Sequence, residues 1–314
     1  MTGNPVIADP VVADPVAADP VVALDVGASW IKAALVTADG RRAAEVRRAT
    51  GRDDGPDAVL ARVCDVAAEV SGDGARVRGG IAVCGAVGPG GRVTAVNLGW
   101  DAEAVGEAVA SRVGIPFTVL NDAHAGAVGE GDFGAARGLD DYLYVSLGTG
   151  IGAAIVRHGR VVRGSHGHAG ELGHVSVDPR GPVCTCGARG CLQTFVSAAA
   201  LETRWRQAHG TARSARVITD GVIAGEPAAS ALWESVVGAL ADGLVTAMTL
   251  VDPAAIVLGG GLARAGDRLL SPLADAVDAR SRSFHAGTRL LLASLGDWSG
   301  CLGAAVAASA AGPE

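Results

Sequence analysis

Residues 174–191 read HVSVDPRGPVCTCGARGC, and in this Gly/Pro-rich stretch His174, Cys184, Cys186 and Cys191 bring together one imidazole and three thiols. Nitrogen and sulfur donors of that kind suit tetrahedral zinc. A loop with little core of its own gains order from such a cross-link. With all four residues ligating, no position is left for water, so the zinc would be structural. The competing reading is a chance grouping of reduced cysteines.

LNDAH places Asp122 at the end of an apolar run, where a carboxylate can be fixed and partly desolvated. That is what a base acting on a hydroxyl requires. An Asn-Asp pair at a strand end also reads as a helix cap. Its surroundings must decide.

Three glycine turns supply those surroundings. In GTGIGA, Gly148, Thr149, Gly150 and Gly152 mimic a dinucleotide fingerprint, but that motif needs a helix directly after its glycines. Here AAIV continues as a strand and turns at His158-Gly159. A hairpin whose backbone N–H groups face phosphates fits better, with a plain β-hairpin as the competing reading. LDVGAS makes a similar hairpin: Asp25 could hold a metal-bound water while Gly27 and Ser29 approach a phosphate. VLGGGLA sets Gly259, Gly260 and Gly261 between a strand and a helix, a geometry open to a nucleoside or phosphate. Together the turns point to a nucleotide held between two α/β halves.

The elements that position these residues follow from periodicity. Residues 21–50 alternate apolar runs with turns at Asp25–Ala28 and Ala38–Gly40, which predicts a three-stranded meander. Val59, Val63, Val66 and Val70 predict a helix over 56–71. RGGIAVCGAV reads as a buried strand, 101–113 as a helix, PFTVL as a strand ending at Asn121-Asp122, and DAHAGAVGEGDFG as the start of a small-residue helix. A second meander begins at YLYVSLGTG, roughly 120 residues after the first, and repeats its plan. The long apolar helix PAASALWESVVGALADGLVTAMTLVDP, the strand AIVLGGG and a C-terminal helix GCLGAAVAASAA complete the chain.

With 314 residues and 49% hydrophobic content there is material for about two domains. Acidic residues exceed basic ones by 33 to 26, without a basic run to offset them, so broad binding to nucleic acid or an anionic membrane is not expected. Six cysteines in a chain this long do not make a secreted disulfide scaffold. The repeat ADPVV-ADPVA-ADPVV reads as an extended or disordered tail over 1–20, because each Pro removes a donor and restricts its predecessor. Asp9, Asp14 and Asp19 interrupt it and no Lys or Arg precedes Lys32, which argues against a signal peptide. No later apolar run spans a bilayer without Gly or Pro breaks. The expectation is a cytoplasmic protein.

NDAH, LGTGIGAAIVRHGRVVRGSHGHAGELGH and HVSVDPRGPVCTCGARGC, in that order, resemble the ROK family (repressors, open reading frames and sugar kinases), above all its glucokinase-type members. The resemblance covers nearly the whole chain from about residue 21. It implies an α/β chain with the two-domain actin/hexokinase-like (ribonuclease H-like) fold and a central ATP/sugar cleft. The smaller domain would span 21–120, completed by the C-terminal helix 300–314, and the larger one 121–299 with the zinc loop. By the same resemblance Asp122 is the base on the acceptor hydroxyl. Asn121, Glu171, His174 and, less directly, Asn97 hold the sugar. The hairpins Asp25–Ser29 and Gly148–Gly152 embrace ATP phosphates with Mg²⁺, and Gly259–Gly261 lie near the adenosine. His174 serves twice, with one ring nitrogen on zinc and the other toward sugar. A homodimer is implied.

Three positions depart from the family pattern. The first hairpin reads GASW, with Ser29 keeping a hydroxyl and Trp30 unusual; His124 stands where a second Asn is common. Gln193, two residues after Cys191, replaces a Glu that contacts hydroxyls near C1 and C2, exchanging charge for an amide donor. The expected activity is ATP-dependent phosphorylation of a hexose primary hydroxyl, with glucose as default. An aminohexose such as kanosamine or a C7-cyclitol of antibiotic biosynthesis competes. A sugar-sensing repressor of the same family would need a winged helix ahead of the first hairpin, and the roughly 20 preceding residues are too few. A catalytically silent sugar-binding relative would not need Asp122.

Overall fold

A computed structural model describes residues 20–72, 78–281 and 287–310. The expected tail over 1–20 lies outside the described residues but for Pro20. Val21–Val26 (β1), Trp30–Val36 (β2) and Arg42–Ala49 (β3) form the first antiparallel meander. The helix Pro56–Ser71 (α1) buries Val59, Val63 and Val66 at helical spacing against Leu24, Ile31 and Ile81. Gly79–Val83 (β4) runs parallel to β1. Ala86–Val87 (β5), Val93–Ala95 (β6) and Trp100–Glu103 (β7) make a small separate sheet, followed by Val105–Val113 (α2) and Phe117–Asn121 (β8). The first large sheet is ordered β3-β2-β1-β4-β8.

The helix expected over 101–113 starts later. Pairing of Ala95 with Trp100 carries the indole into the core, where its Nε1 donates to the Pro56 carbonyl at 3.2 Å. Ala102, at φ 53°, then bends the chain away from helical geometry before Val105.

Asp122–Phe133 (α3) leads to the second meander, Tyr142–Leu147 (β9), Ile151–Arg157 (β10) and Arg160–Val161 (β11). The helices Gln193–Val196 (α4), Ala198–His209 (α5), Ala215–Ile223 (α6) and Pro227–Val251 (α7) follow. Ala255–Gly259 (β12), Asp267–Ser281 (α8), Arg289–Leu292 (β13) and Ser299–Ala310 (α9) complete the chain. The second sheet, β11-β10-β9-β12-β13, repeats the first: three antiparallel strands, then parallel partners. Alone among the described helices, α7 is long and apolar enough to cross a membrane. Its Trp233, Leu240 and Leu244 instead share a core with Leu143, Leu147, Ile256 and Leu258 of this sheet.

The C-terminal helix α9 returns to the first sheet, packing Cys301, Leu302 and Ala305 on Val21, Ala23 and Ala34. It crosses α3 closely at Gly129 and Gly303. Glu130 of α3, fully buried, accepts hydrogen bonds from the Ala135, Ser294 and Leu295 N–H groups and from Ser299 Oγ. That carboxylate fixes the segment entering α9 onto α3.

Candidate active site

A cleft of about 830 Å³ is lined from both large sheets. On one wall, the β1–β2 turn carries Asp25, Gly27 and Ser29. Asp25 is buried, and its ladder partner Lys32 places Nζ 2.6 Å from Asp25 Oδ2. Thr50 braces the turn: its Oγ1 donates to the Gly27 carbonyl at 2.7 Å and its N–H to the Ser29 carbonyl at 3.0 Å. Trp30 stands at the edge of the cleft beneath the Arg47 guanidinium, 4.5 Å above the ring.

The β9–β10 turn carries Gly148, Thr149, Gly150 and Gly152 into the same cleft. The strand does continue after the glycines, as the hairpin reading requires. Gly152 passes close over Ala123, next to Asp122. Gly260 and Gly261 line the cleft as well; Gly260 sits at φ 85° against the Leu147 backbone, where any Cβ would collide. Gly259 differs from expectation. It ends β12, does not line the cleft, and leaves room for the Tyr144 phenol, so its role is packing.

At the far end of the cleft both readings of Asn-Asp apply, to different residues. Asn121 is the N-cap of α3: its Oδ1 accepts from the Ala123 and His124 N–H groups, and its Nδ2 donates to the Gly85 carbonyl at 3.0 Å. One amide hydrogen remains for a ligand. Asp122 follows, half-buried in the cleft, with Oδ1 accepting from the Ala123 N–H at 2.8 Å. Burial, and then the Asp25 carboxylate, push its carboxyl up to about 7, with Glu171 adding to the rise and the Ala123 N–H opposing it. Near neutral pH this group exchanges protons readily.

Glu171 and His174 line the same end, Glu171 Oε2 lying 4.0 Å from His174 Nε2. Asn97 reaches it from the turn between β6 and β7, anchored by the buried Leu98 and Trp100. His124 lines the cleft too, and burial pushes its imidazole below its ordinary value, which favours the neutral ring.

The ligand atoms of His174, Cys184, Cys186 and Cys191 all lie within 4.8 Å of one another. Cys184 Sγ is 3.7 Å from His174 Nδ1, and Cys186 Sγ is 3.7 Å from Cys191 Sγ. Zinc–sulfur bonds of about 2.3 Å put neighbouring sulfurs of a tetrahedron about 3.8 Å apart, so the four donors fit a zinc ion. His174 turns Nδ1 to this cluster and Nε2 toward Glu171. Gln193 lies between cluster and cleft, and its Nε2 donates to Cys184 Sγ at 3.2 Å. One hydrogen of the amide expected to face substrate is therefore committed to a sulfur.

Two residues that brace the first glycine turn went unread in the sequence. Thr50 carries no signal of its own. Lys32 does: it is the only lysine in a chain rich in arginine, and it interrupts the apolar strand WIKAALV.

The ROK family model matches residues 21–311. A glucokinase of Thermotoga maritima is 32% identical over 300 residues, 90% of this chain and 95% of that protein. A crystal structure of a ROK family glucokinase from Streptomyces griseus, in complex with glucose and AMPPNP, superposes with a TM-score of 0.86 at 29% identity, covering 93% of this chain and 100% of that one. A putative xylose repressor of Caldicellulosiruptor is 47% identical over 107 residues, only 34% of this chain and 27% of that protein. The fold is that of the actin/hexokinase-like ROK glucokinases, with the duplicated sheets and shared cleft described above. On its sequence from residue 21 to 311 and on its architecture, the chain belongs to the ROK family.

Proposed function

We propose that this ATP-dependent sugar kinase phosphorylates the primary (C6) hydroxyl of a hexose or aminohexose such as glucose or kanosamine, with Asp122 as general base. One observation carries the reading: a carboxyl raised to about 7 at the start of α3, in a cleft walled by three glycine turns. A phosphoryl acceptor needs a nearby base and a donor needs a cradle; covalent chemistry by the protein is not required. Asp122 takes the hydroxyl proton as the oxygen attacks the γ-phosphorus, and the bond from that phosphorus to the β–γ bridging oxygen breaks to release ADP. Glu171, Asn97, the spare N–H of Asn121 and His174 Nε2 orient the ring. The turns at Asp25–Ser29 and Gly148–Gly152 offer backbone N–H groups to the phosphates, and Gly260–Gly261 flank the adenosine.

Mg²⁺, when bound with ATP, neutralises phosphate charge. Asp25 is the oxygen donor that would hold it, one carboxylate beside substrate phosphates being an ordinary magnesium site. A structural zinc would be held by His174, Cys184, Cys186 and Cys191. In this reading residues 21–120 with the C-terminal helix form the smaller domain and 121–299 the larger, in a cytoplasmic homodimer.

Gln193 supports a second acceptor class. With one amide hydrogen on Cys184, a neutral carbonyl and one N–H remain at the cleft where an ionised carboxylate would grip C1 and C2 hydroxyls. A hydrogen bond to a charged group contributes about 1.5–3 kcal/mol against about 0.5–1.5 for a neutral one, so glucose loses roughly tenfold in affinity. An aminohexose, or a valiolone-type C7-cyclitol phosphorylated at O7, loses less. A repressor role is disfavoured because the sequence likeness to xylose repressors covers about a third of this chain, against 90% for a glucokinase. An ADP-release screen over glucose, mannose, N-acetylmannosamine, kanosamine, glucosamine and a valiolone-type cyclitol tests the reading. Turnover with glucose or an aminohexose is expected. Turnover with the cyclitol alone moves the acceptor class, and none with any acceptor contradicts a kinase.

A further inference from the structure

We infer that Gln193 is a positioning residue that joins the thiolate cluster to the cleft, its amide N–H held by the Cys184 sulfur and its carbonyl thereby aimed at the β9–β10 turn. The inference rests on reading His174, Cys184, Cys186 and Cys191 as a zinc site.

The backbone around Gln193 leaves it little freedom. Cys191 and Leu192 are fully buried, the Leu192 N–H donates to the Val175 carbonyl at 2.8 Å, and Leu192 packs against Gly243 of α7. Gln193 opens α4, which packs on α7. From that fixed point Nε2 reaches Cys184 Sγ at 3.2 Å, while a methyl group on Gly150 would sit 3.4 Å from Oε1. The opposite amide orientation would set an acceptor oxygen against a thiolate, so the sulfur selects the orientation. Three thiolates and a neutral imidazole around Zn²⁺ carry one excess negative charge. An N–H donor relieves that charge, whereas a carboxylate at the same position would add to it. Outer partners of metal ligands act in this way: they orient the ligand and tune its basicity. Gln193 thus does two things at once, stabilising the metal-bound sulfur and presenting one acceptor oxygen beside the phosphate-facing turn.

The test replaces zinc by Co²⁺ in the full-length protein and compares wild type with Gln193→Met and Gln193→Glu. The readouts are metal affinity by chelator competition and the energy of the sulfur-to-cobalt charge-transfer band. Gln193→Met conserves volume without the donor, so it is expected to weaken metal affinity by about tenfold or more and move the band to lower energy, since the sulfur becomes more electron-rich. Gln193→Glu also lacks the donor, with its carboxylate free to turn to the cleft as in the family pattern, and is expected to weaken it to a similar degree. A variant perturbed only in packing would lose thermal stability with the band unmoved, and that result overturns the inference. So do unchanged affinity and band in both variants. Failure of the wild-type chain to bind Co²⁺ or zinc would instead remove the metal reading beneath it. Kinase turnover enters none of these readouts, so the acceptor reading stands or falls separately.

Discussion

Lys32 Nζ lies between Asp25 Oδ2, at 2.6 Å, and the Asp297 carbonyl, at 2.5 Å, tying the first glycine turn to the segment that enters α9. The ammonium also offsets the carboxylate that acts on Asp122. After burial, Asp25 is the larger of the two carboxylates that raise the Asp122 carboxyl, ahead of Glu171. Removing the cation should therefore strengthen the repulsion, and removing Asp25 should relieve it.

The first prediction follows directly. A base must be ionised, so kcat/KM should rise with pH through an apparent pKa near 7. Lys32→Met should displace that rise to higher pH and Asp25→Asn to lower pH, whatever each does to the maximum rate. pH profiles of ADP release check both directions; shifts of the same sign would mean that Asp25 does not act on the base.

Asp122 also sets a pH dependence of stability. Its folded value of about 7 lies above its ordinary 3.8, so the fold favours the protonated form. That contribution is complete below the ordinary value and is lost as pH rises through about 7. Asp122→Asn, which carries no charge to bury, should thus raise Tm relative to wild type at pH 8, with the gain vanishing by about pH 4. Calorimetry across that range decides it, and a variant less stable at pH 8 would contradict the sign.

For the metal cluster, elemental analysis should find about one zinc per chain, and Cys186→Ser should lower Tm and activity together. The loop that loses its ligand also carries His174, and Glu171 lies just ahead of it, so ordering and binding fall as one. Full activity in metal-free protein would exclude this role.

Glu130 offers a structural prediction away from the chemistry. Glu130→Ala leaves buried donors at Ala135, Leu295 and Ser299 without their acceptor, a loss of about 3 kcal/mol or more by urea unfolding. Because these donors hold the stretch that meets Lys32, the variant should also weaken nucleotide binding. Unchanged stability would show that water replaces the carboxylate.

Much of this was legible in the sequence because it rests on local rules. Alternation with Gly turns predicted both meanders, and their repetition pointed to two related α/β halves, each of which carries one five-stranded sheet. The thiol spacing at Cys184, Cys186 and Cys191 announced a compact donor set, which the loop then closes with His174. What escaped depends on tertiary pairing. Residues 101–103 read as the start of a helix and instead join the strand Trp100–Glu103, because Trp100 gains a core position and a hydrogen-bond partner on α1. Gly259 looked like a ligand contact and is a packing contact with Tyr144. Which way the Gln193 amide faces could not be read from its type, since the sulfur that orients it lies nine residues earlier on a folded loop.

The central claim is that Asp122 takes the acceptor proton, and the turnover of Asp122→Asn at pH 8 tests it most directly. Amide for carboxylate keeps shape and removes basicity, so kcat should fall by about a hundredfold or more while sugar and nucleotide affinities stay within about tenfold. A variant that kept more than about a tenth of wild-type turnover would show that Asp122 is not the base.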